Sequence, residues 1–210
     1  MTPYYEQDGI TIYHGDCREA LPDLQFNVVV TDPPYGIQWN PRVNHQDAPW
    51  LDTGGRPDLS MLGDVPMCVW GGNYFTDCLP PTEAWLIWIK RPVGYDFDDD
   101  GRAYSVIELA WTNFGGKPKM RHHCWDGGKR AGHADNRMFC HPAQKPLEIM
   151  AWCLKLAPPG VVLDPFMGSG TTLRAAKNQG RKAIGIEAEE QYCEIAAKRL
   201  AQRVLPLETA

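Results

Sequence analysis

With 210 residues, an apolar share of 43% and a net charge of −5, the chain has the composition of an ordinary globular protein. This length predicts one domain spanning 1–210 with a core of its own. No stretch is long and apolar enough to cross a membrane, no basic-then-apolar signal opens the chain, and the seven cysteines form no C-x-x-C pair. These features argue against a membrane protein and a disulfide scaffold, and they predict a cytoplasmic protein with reduced thiols.

The first elements are strands that end in polar turns. Residues 10–13 predict a strand, and Asp16 predicts the N-cap of a short helix over 17–24. Three consecutive valines at 28–30 are typical of a strand buried on both faces. The sequence Asp32-Pro33-Pro34-Tyr35 then ends that strand, because neither proline can donate to a ladder. A carboxylate and an aromatic ring therefore follow the carboxyl end of a strand, which is where open α/β sheets place their ligands.

The middle of the chain has weaker periodicity. Residues 36–64 are rich in Pro, Asn, Asp and Gly, which is typical of a long surface loop. The other elements predicted here are strands at 67–70 and 84–89, a helix at 74–79, a hairpin of 106–114 with 120–125, and an exposed loop over 126–137.

The carboxyl-terminal third alternates regularly between helices and strands. The elements predicted there are a helix after Pro146, a strand at 161–164, a glycine-rich loop, a helix to Asn178, a strand at 182–186 ending in Glu187, and a helix at 189–203. Strands and helices that alternate at this spacing form right-handed parallel units, so the pattern predicts an α/β fold.

Charge is distributed unevenly. Between Lys117 and Lys145 seven Lys or Arg stand against two Asp, a local net charge of +5 in an acidic chain. Such a segment is typical of a face that binds a polyanion, although a solvated surface explains it equally well. The same region holds Cys124, His133, Cys140 and His141, whose spacing matches no usual zinc pattern, so we expect no metal site.

The glycine-rich loop over 164–172 indicates a particular kind of ligand. It lacks the Gly-Lys-Ser/Thr ending of a phosphate-binding loop, and Leu173 stands where the dinucleotide pattern has its third small residue. A carboxylate-bearing ligand can still lie near Gly168 and Gly170 at the helix amino terminus. Glu187, one strand later, is placed to accept hydrogen bonds from ribose hydroxyls. The implied ligand is a nucleoside with an amino-acid tail and no phosphate, which is S-adenosylmethionine.

Two motifs together carry a resemblance to a known family. Asp-Pro-Phe-Met-Gly-Ser-Gly-Thr-Thr over 164–172 and Thr-Asp-Pro-Pro-Tyr-Gly over 31–36 resemble the DNA methyltransferases that act on adenine N6 or cytosine N4. The segment 141–146, His-Pro-Ala-Gln-Lys-Pro, is similar to one that these enzymes carry just before the cofactor loop. Because the Asp-Pro-Pro-Tyr turn precedes the cofactor loop, the chain resembles the circularly permuted β group of the family. The resemblance implies a Rossmann-like, S-adenosylmethionine-dependent methyltransferase fold with a mostly parallel, doubly wound sheet and an antiparallel hairpin.

The resemblance also implies residue roles. Asp32 and the Pro33 carbonyl would accept the hydrogens of the target amine, and Tyr35 would stack on a base extruded from the duplex. Asp16 would contact the cofactor's adenine, and Lys145 would lie beside the cofactor. The residues expected in catalysis are Asp32, Pro33, Pro34 and Tyr35. Those expected to bind the cofactor are Asp16, Asp32, Lys145, Asp164, Pro165, Phe166, Gly168, Ser169, Gly170, Thr171 and Glu187.

The expected activity is therefore methylation of double-stranded DNA without a metal, in a bacterial or phage-infected cell. Asp rather than Ser at position 32 favours adenine N6 over cytosine N4. Residues 36–64 and 117–137 are the candidate DNA-contacting loops, and the resemblance is also compatible with a homodimer. A methyltransferase of a non-DNA substrate and an inactive DNA-binding relative remain alternatives.

Overall fold

A computed structural model describes residues 1–37, 55–91, 105–126, 129–130 and 144–202. Its strands are β1 (Tyr5–Gln7), β2 (Ile10–His14), β3 (Val28–Thr31), β4 (Met67–Trp70), β5 (Ala84–Ile89), β6 (Ile107–Thr112), β7 (Lys119–His122), β8 (Trp125–Asp126), β9 (Lys129–Arg130), β10 (Val162–Asp164) and β11 (Ala183–Glu187). Its α-helices are α1 (Cys17–Ala20), α2 (Leu147–Leu156), α3 (Thr171–Asn178) and α4 (Glu190–Ala201).

Nine of the strands form one sheet in the order β1-β2-β11-β10-β3-β4-β6-β5-β7. The strands β2, β11, β10, β3 and β4 are mutually parallel. Strand β6 is antiparallel to both β4 and β5, so β5 runs in the same direction as the parallel core. The predicted α/β fold with a mostly parallel sheet and an antiparallel pair is confirmed.

Both faces of the sheet are covered, which explains the unbroken valine run. Val28 and Val30 pack with α2, α3 and α4, while Val29 packs on the opposite face with residues such as Leu59 and Phe75. All three valines are 0% exposed. A strand buried on both faces has no polar side to alternate with, so its sequence is continuously apolar.

The predicted hairpin of 106–114 with 120–125 is wrong in its pairing. Strand β6 inserts between β4 and β5, whereas β7 pairs in parallel with the far side of β5. The antiparallel pair is therefore β5 with β6. The Gly115-Gly116 turn, with positive φ at both residues, carries the chain past β5 instead of closing a hairpin.

Two further predictions need correction. The helix predicted at 74–79 is instead a 3-10 turn over Gly72–Tyr74, which ends at Phe75 with a non-helical φ of −120°. A single further turn follows, in which the Leu79 amide donates to the Phe75 carbonyl at 2.8 Å. In the loop predicted at 36–64, the described part contains a 3-10 helix at Leu59–Leu62, capped by Asp58 and with both leucines buried. Residues 38–54 lie outside the described part of the chain.

Two strands escaped prediction. Strand β9 lies within 126–137, which was predicted as a loop, and it pairs with β8. Strand β1 pairs with β2 across a two-residue turn at Asp8 and Gly9, both with positive φ. An Asp-Gly pair is the usual sequence of such a turn, so the signal was present. Among the described helices, none combines the length and apolarity that crossing a bilayer requires.

Candidate active site

The parallel strands deliver their polar turns to one edge of the sheet. Asp16, Asp32, Gly71 and Glu187 lie at or just after the carboxyl ends of β2, β3, β4 and β11, and Asp164 ends β10. These residues line a cleft of about 1300 Å³. That volume exceeds what most single small ligands fill, so the cleft has room for a second group beside a nucleoside.

Asp32 is held on both of its carboxylate oxygens. The Tyr35 hydroxyl donates to Oδ1 at 2.6 Å, and the Lys145 ammonium donates to Oδ2. Burial raises the pKa of Asp32, the Lys145 charge opposes that shift, and the nearby Glu108 adds to it. The side chain is therefore fixed in orientation, with one acceptor position left on each oxygen.

Lys145 is shared between two carboxylates. Its Nζ contacts Asp32 Oδ2 and lies 3.2 Å from Glu108 Oε2. The Tyr35 hydroxyl oxygen is 3.3 Å from the same Nζ. Burial works against its charge, but the two carboxylates outweigh burial and raise the pKa of Lys145. Lys145 was expected beside the cofactor, and the structure brings it to the Asp-Pro-Pro-Tyr turn.

Tyr35 is packed as well as hydrogen-bonded. Its ring stacks on Tyr74 with centroids 5.0 Å apart and planes inclined by 18°. A side chain at Gly71 would place its Cβ 2.1 Å from the Tyr35 ring, so only glycine permits this approach. Tyr74 is 40% exposed, which leaves an accessible aromatic surface next to the Asp-Pro-Pro-Tyr turn.

Asp164 joins the glycine-rich loop to the catalytic strand. Its Oδ1 accepts from Thr31 Oγ1 at 2.7 Å and from the Phe166 amide at 3.2 Å. Burial raises the pKa of Asp164 to about 6. Pro165 and Phe166, which follow it, line the cleft.

Glu187 faces the same loop from β11. Its two oxygens accept from the backbone amides of Gly168 and Glu189, each at 2.9 Å. Burial raises the pKa of Glu187, and those amides oppose the shift. Each oxygen keeps a lone pair toward the cleft, which suits it to bind hydroxyl groups.

The remaining predicted cofactor residues differ in placement. Asp16 lines the cleft but is also the N-cap of α1 and the partner of Arg18, whose hydrogen bonds lower the pKa of Asp16 to about 2. Ser169 and Thr171 line the cleft at the start of α3. Gly170 has φ +77°, and a Cβ there would lie 2.8 Å from Ala196 Cβ in α4. Gly170 is therefore needed for helix packing.

The charged side chains that line the cleft indicate which kind of ligand it can bind. On the side of the glycine-rich loop, the carboxylates of Asp16, Asp164, Glu187 and Glu189 line the cleft. Two cations lie near them: Arg18 pairs with Asp16, and Arg199 donates to Ser169 Oγ at 3.0 Å. Such a surface suits a ligand that carries positive charge and repels a phosphate. S-adenosylmethionine, with a sulfonium, an ammonium and ribose hydroxyls, fits these residues.

Several residues of the site were missed from the sequence. Glu108 and Lys90, at the adjoining ends of β6 and β5, form an ion pair at the cleft, and Trp88 and Tyr74 line it with them. A Lys-Arg-Pro ending after an apolar strand hinted at Lys90. Nothing local indicated Glu108, because its position depends on β6 pairing with β5.

The basic segment is only partly described. Lys119 donates to the Gly115 carbonyl at 2.7 Å, Arg121 lies over the Trp152 ring at 6.0 Å, and β8 pairs with β9 as a short antiparallel ladder. Lys145, counted with this segment by sequence, is buried in the cleft and is not part of a basic surface. His133, Cys140 and His141 lie outside the described residues. Among the described ones, no group of His, Cys, Asp and Glu is arranged to hold a metal ion.

Comparisons with known proteins give a consistent picture. A family model described as DNA methylase matches residues 80–198, more than half of the chain. The chain is 29% identical over 253 aligned residues to the type II methyltransferase M.ScaI of Streptomyces caespitosus, covering 94% of this chain and 83% of that protein. It is 48% identical over 153 residues to the type II methyltransferase M2.LlaDCHI of Lactococcus lactis subsp. cremoris, covering 72% of this chain and 48% of that longer protein.

Solved structures share the fold. The M1.HpyAVI–SAM complex superposes with a TM-score of 0.56 at 24% identity, over 92% of this chain and 100% of that one. The cytosine-N4-specific PvuII DNA methyltransferase superposes with a TM-score of 0.62 at 17% identity, over 97% of this chain and 90% of that one.

Proposed function

The chain belongs to the DNA methylase family, whose members transfer a methyl group from S-adenosylmethionine to an exocyclic amine of DNA, and from that premise we propose that it methylates adenine N6. One observation carries the proposal: the Asp32 carboxylate, held by Tyr35 and Lys145, opens onto the same cleft as the Glu187 and Gly168 end of the cofactor loop. A methyl donor on one side and an amine acceptor on the other can therefore meet.

The chemistry asks the protein mainly to position the amine. An exocyclic amine delocalises its lone pair into the ring, so it is a poor nucleophile until its hydrogens are engaged. Asp32 and the Pro33 carbonyl accept those hydrogens and turn the lone pair toward the donor. When bound, S-adenosylmethionine supplies the methyl group on its sulfonium. Transfer would form the nitrogen–methyl bond as the sulfur–methyl bond of the donor breaks, and the methylated amine would then release one proton to water. Holding both groups in register provides most of the acceleration.

The base must leave the duplex to reach Asp32. We propose that it enters against the aromatic pair of Tyr35 and Tyr74, since Tyr74 remains accessible beside the turn. The preference for adenine is supported by Asp at position 32, because the cytosine-N4 enzymes that the chain resembles more often have Ser there.

We propose that 1–210 acts as one catalytic domain and that 36–64 and 117–137 contact DNA. In support, the described sheet is continuous, and Arg56, Met61 and Trp125, from the ends of these segments, line the cleft. Arg56 fastens the first segment by donating to the Tyr74 carbonyl at 2.5 Å and to Asp77 at 2.6 Å. The order of the two motifs along the chain supports the permuted β group, and its bacterial type II relatives support a role in restriction-modification.

The test is a methylation assay on mixed-sequence duplex DNA with labelled cofactor, followed by digestion and mass spectrometry of the nucleosides. We expect N6-methyladenine with the wild type and roughly 10²–10⁴-fold slower formation of it with Asp32→Ala. N4-methylcytosine alone would assign the other base, and label in RNA or protein but not DNA would contradict the proposal.

A further inference from the structure

A chain of alternating charges runs from Lys90 to the catalytic turn. Lys90 contacts Glu108 Oε1, Glu108 Oε2 lies 3.2 Å from Lys145 Nζ, and Lys145 contacts Asp32. We propose that Glu108 is a positioning residue for Asp32: by sharing the Lys145 ammonium, it keeps a lone pair of Asp32 open for the target amine. This inference rests on the proposed function and extends it to a residue that does not touch the base.

The fold makes this sharing rigid. Glu108 stands opposite Trp88 in the β5–β6 ladder, and Lys90, one residue after β5, lies over the Trp88 ring at 5.1 Å. The side chains of Glu108 and Lys145 are only 24% and 9% exposed. Burial works to raise the pKa of Glu108, but Lys145 and Lys90 outweigh it and lower that pKa. Glu108 is therefore a fixed negative charge beside Lys145.

The consequence for Asp32 follows from counting donors and acceptors. An ammonium has three protons, and Lys145 faces Asp32, Glu108 and the Tyr35 hydroxyl. Asp32 already receives one hydrogen bond on each oxygen, so each oxygen has one free acceptor position. If Glu108 lost its charge, the Lys145 cation would turn wholly to Asp32 and take up a position that the amine needs.

The same change alters the proton affinity of Asp32. The charged or titratable groups that act on Asp32 are Lys145, Tyr35, Glu108 and, more weakly, Asp164, whose own pKa Asp32 helps to raise. Glu108 raises the pKa of Asp32 directly and also draws Lys145 away from it. Neutralising Glu108 therefore lowers that pKa. Because activity needs an ionised Asp32, the acid limb of the rate profile should move to lower pH.

The experiment compares Glu108→Gln and Glu108→Asp with wild type, and it uses Glu194→Gln on the exposed face of α4 as a matched control. Single-turnover methylation is followed across the pH range, with KM for DNA and calorimetric Kd for S-adenosylmethionine. Glu108→Gln should lower the plateau rate about tenfold with KM and Kd within about twofold, and should shift the acid limb downward. Glu108→Asp keeps the charge and should keep the wild-type limb.

A second readout does not depend on activity. The ¹³C carboxyl resonance of Asp32, identified by its loss in Asp32→Asn, is titrated in wild type and Glu108→Gln. A lower midpoint in the variant supports the inference, and an unshifted midpoint overturns it whether or not DNA is methylated. A second outcome would also overturn the inference: the rate falls equally in Glu108→Gln and Glu108→Asp, and the acid limb does not shift. Glu108 would then have only a structural role. Absence of methylation by the wild type would instead contradict the proposed function.

Discussion

The Thr31 hydroxyl donates a hydrogen bond of 2.7 Å to Asp164 across 133 residues of sequence. Thr31 ends β3 immediately before the Asp-Pro-Pro-Tyr turn, and Asp164 ends β10 immediately before the glycine-rich loop. The two strands are neighbours in the sheet, so this one bond fixes the position of the turn relative to the loop. Asp164 is 2% exposed and makes the contact away from water.

The burial of Asp164 predicts an unusual pH dependence of stability. The pKa of Asp164 is raised from 3.8 in the unfolded chain to about 6, so the folded state binds this proton more tightly. The stability that Asp164 contributes therefore falls as pH rises from about 4 to about 6, by roughly 2–3 kcal/mol, and stays low above that window. In Asp164→Asn the amide oxygen can still accept from Thr31, and this component should vanish.

Urea unfolding at several pH values checks the prediction. The free energy of unfolding of Asp164→Asn minus that of wild type should increase between about pH 4 and 6 and then level off. Thr31→Val is the matched control, because it keeps the carboxylate and removes a hydrogen bond that lowers its pKa. That variant should retain the pH dependence and extend it upward. Parallel curves for Asp164→Asn and wild type would show that Asp164 does not titrate in this way.

The parts of the fold that depend on local pattern were predictable. Apolar, valine-rich runs at 28–30 and 161–163 identified the central strands, and their parallel order brought Asp32 and Asp164 to one edge. The partners of β6 and β7 were not predictable, because pairing across the sheet is set by long-range packing. The antiparallel arrangement of β6 between β4 and β5 is what carries Glu108 to Lys145.

Residue roles were harder to predict than residue positions. Gly170 illustrates the difficulty: its place in the loop suggested contact with the cofactor, whereas its positive φ and its approach to Ala196 serve the packing of α3 on α4. Gly170→Val would therefore strain the fold before it tested binding. Tyr35 similarly uses its hydroxyl on Asp32 and one ring contact on Tyr74, neither of which a motif reveals.

Replacing the proposed acceptor of the amine gives the most direct test of catalysis. Asp32→Ala should slow single-turnover methylation by roughly 10²–10⁴-fold, because nothing else engages the amine hydrogen at that point. The Kd for the cofactor should change by less than about threefold, under 1 kcal/mol. Because Lys145 keeps Glu108 as a partner, the variant should fold, with some loss of stability. Exposed Asp64→Ala is the control, and an active Asp32→Ala enzyme would end this mechanism.

Substitutions of Tyr35 distinguish the orientation of Asp32 by the tyrosine hydroxyl from the stacking of the target base on the tyrosine ring. Tyr35→Phe removes only the hydroxyl that donates to Asp32 Oδ1, so the methylation rate should fall by about 5–10-fold, equivalent to roughly 1 kcal/mol. Base extrusion, followed by 2-aminopurine fluorescence at the target position, should stay at the wild-type level because the ring remains. Tyr35→Ala should lose both signals. Full activity in Tyr35→Phe would mean that Lys145 alone orients Asp32.

Glu187 tests the cofactor half of the cleft. Glu187→Ala removes acceptors proposed for the ribose hydroxyls and releases the Gly168 amide, so S-adenosylmethionine binding should weaken by roughly 1–3 kcal/mol. Glu187→Gln keeps one acceptor oxygen, so its affinity for S-adenosylmethionine should lie between those of wild type and Glu187→Ala. Titration calorimetry measures both, with exposed Glu190→Ala as the control. Affinity at the wild-type level in Glu187→Ala would remove Glu187 from the site.

The basic segment is tested through salt. A protein with a net charge of −5 must approach the duplex through a local positive patch, and Lys129 and Arg130 lie on the β8–β9 ladder close after Trp125, which lines the cleft. If both bind phosphates, replacing both with Ala should weaken binding to every sequence. The plot of log affinity against log salt should also flatten by roughly 0.9 for each phosphate that is no longer neutralised.

The control and the alternatives use the same measurement. Lys155→Ala combined with Lys198→Ala removes two positive charges from the helices α2 and α4, and it should lower affinity slightly without flattening the slope by that amount. Residues that read base edges would instead relax sequence preference and leave the slope nearly unchanged. A slope at the wild-type value in the Lys129→Ala, Arg130→Ala variant would mean that these side chains do not meet phosphate. The binding free energy would then have to come from other positive groups, and the next to replace are Arg56, which lines the cleft, and Arg121 on β7.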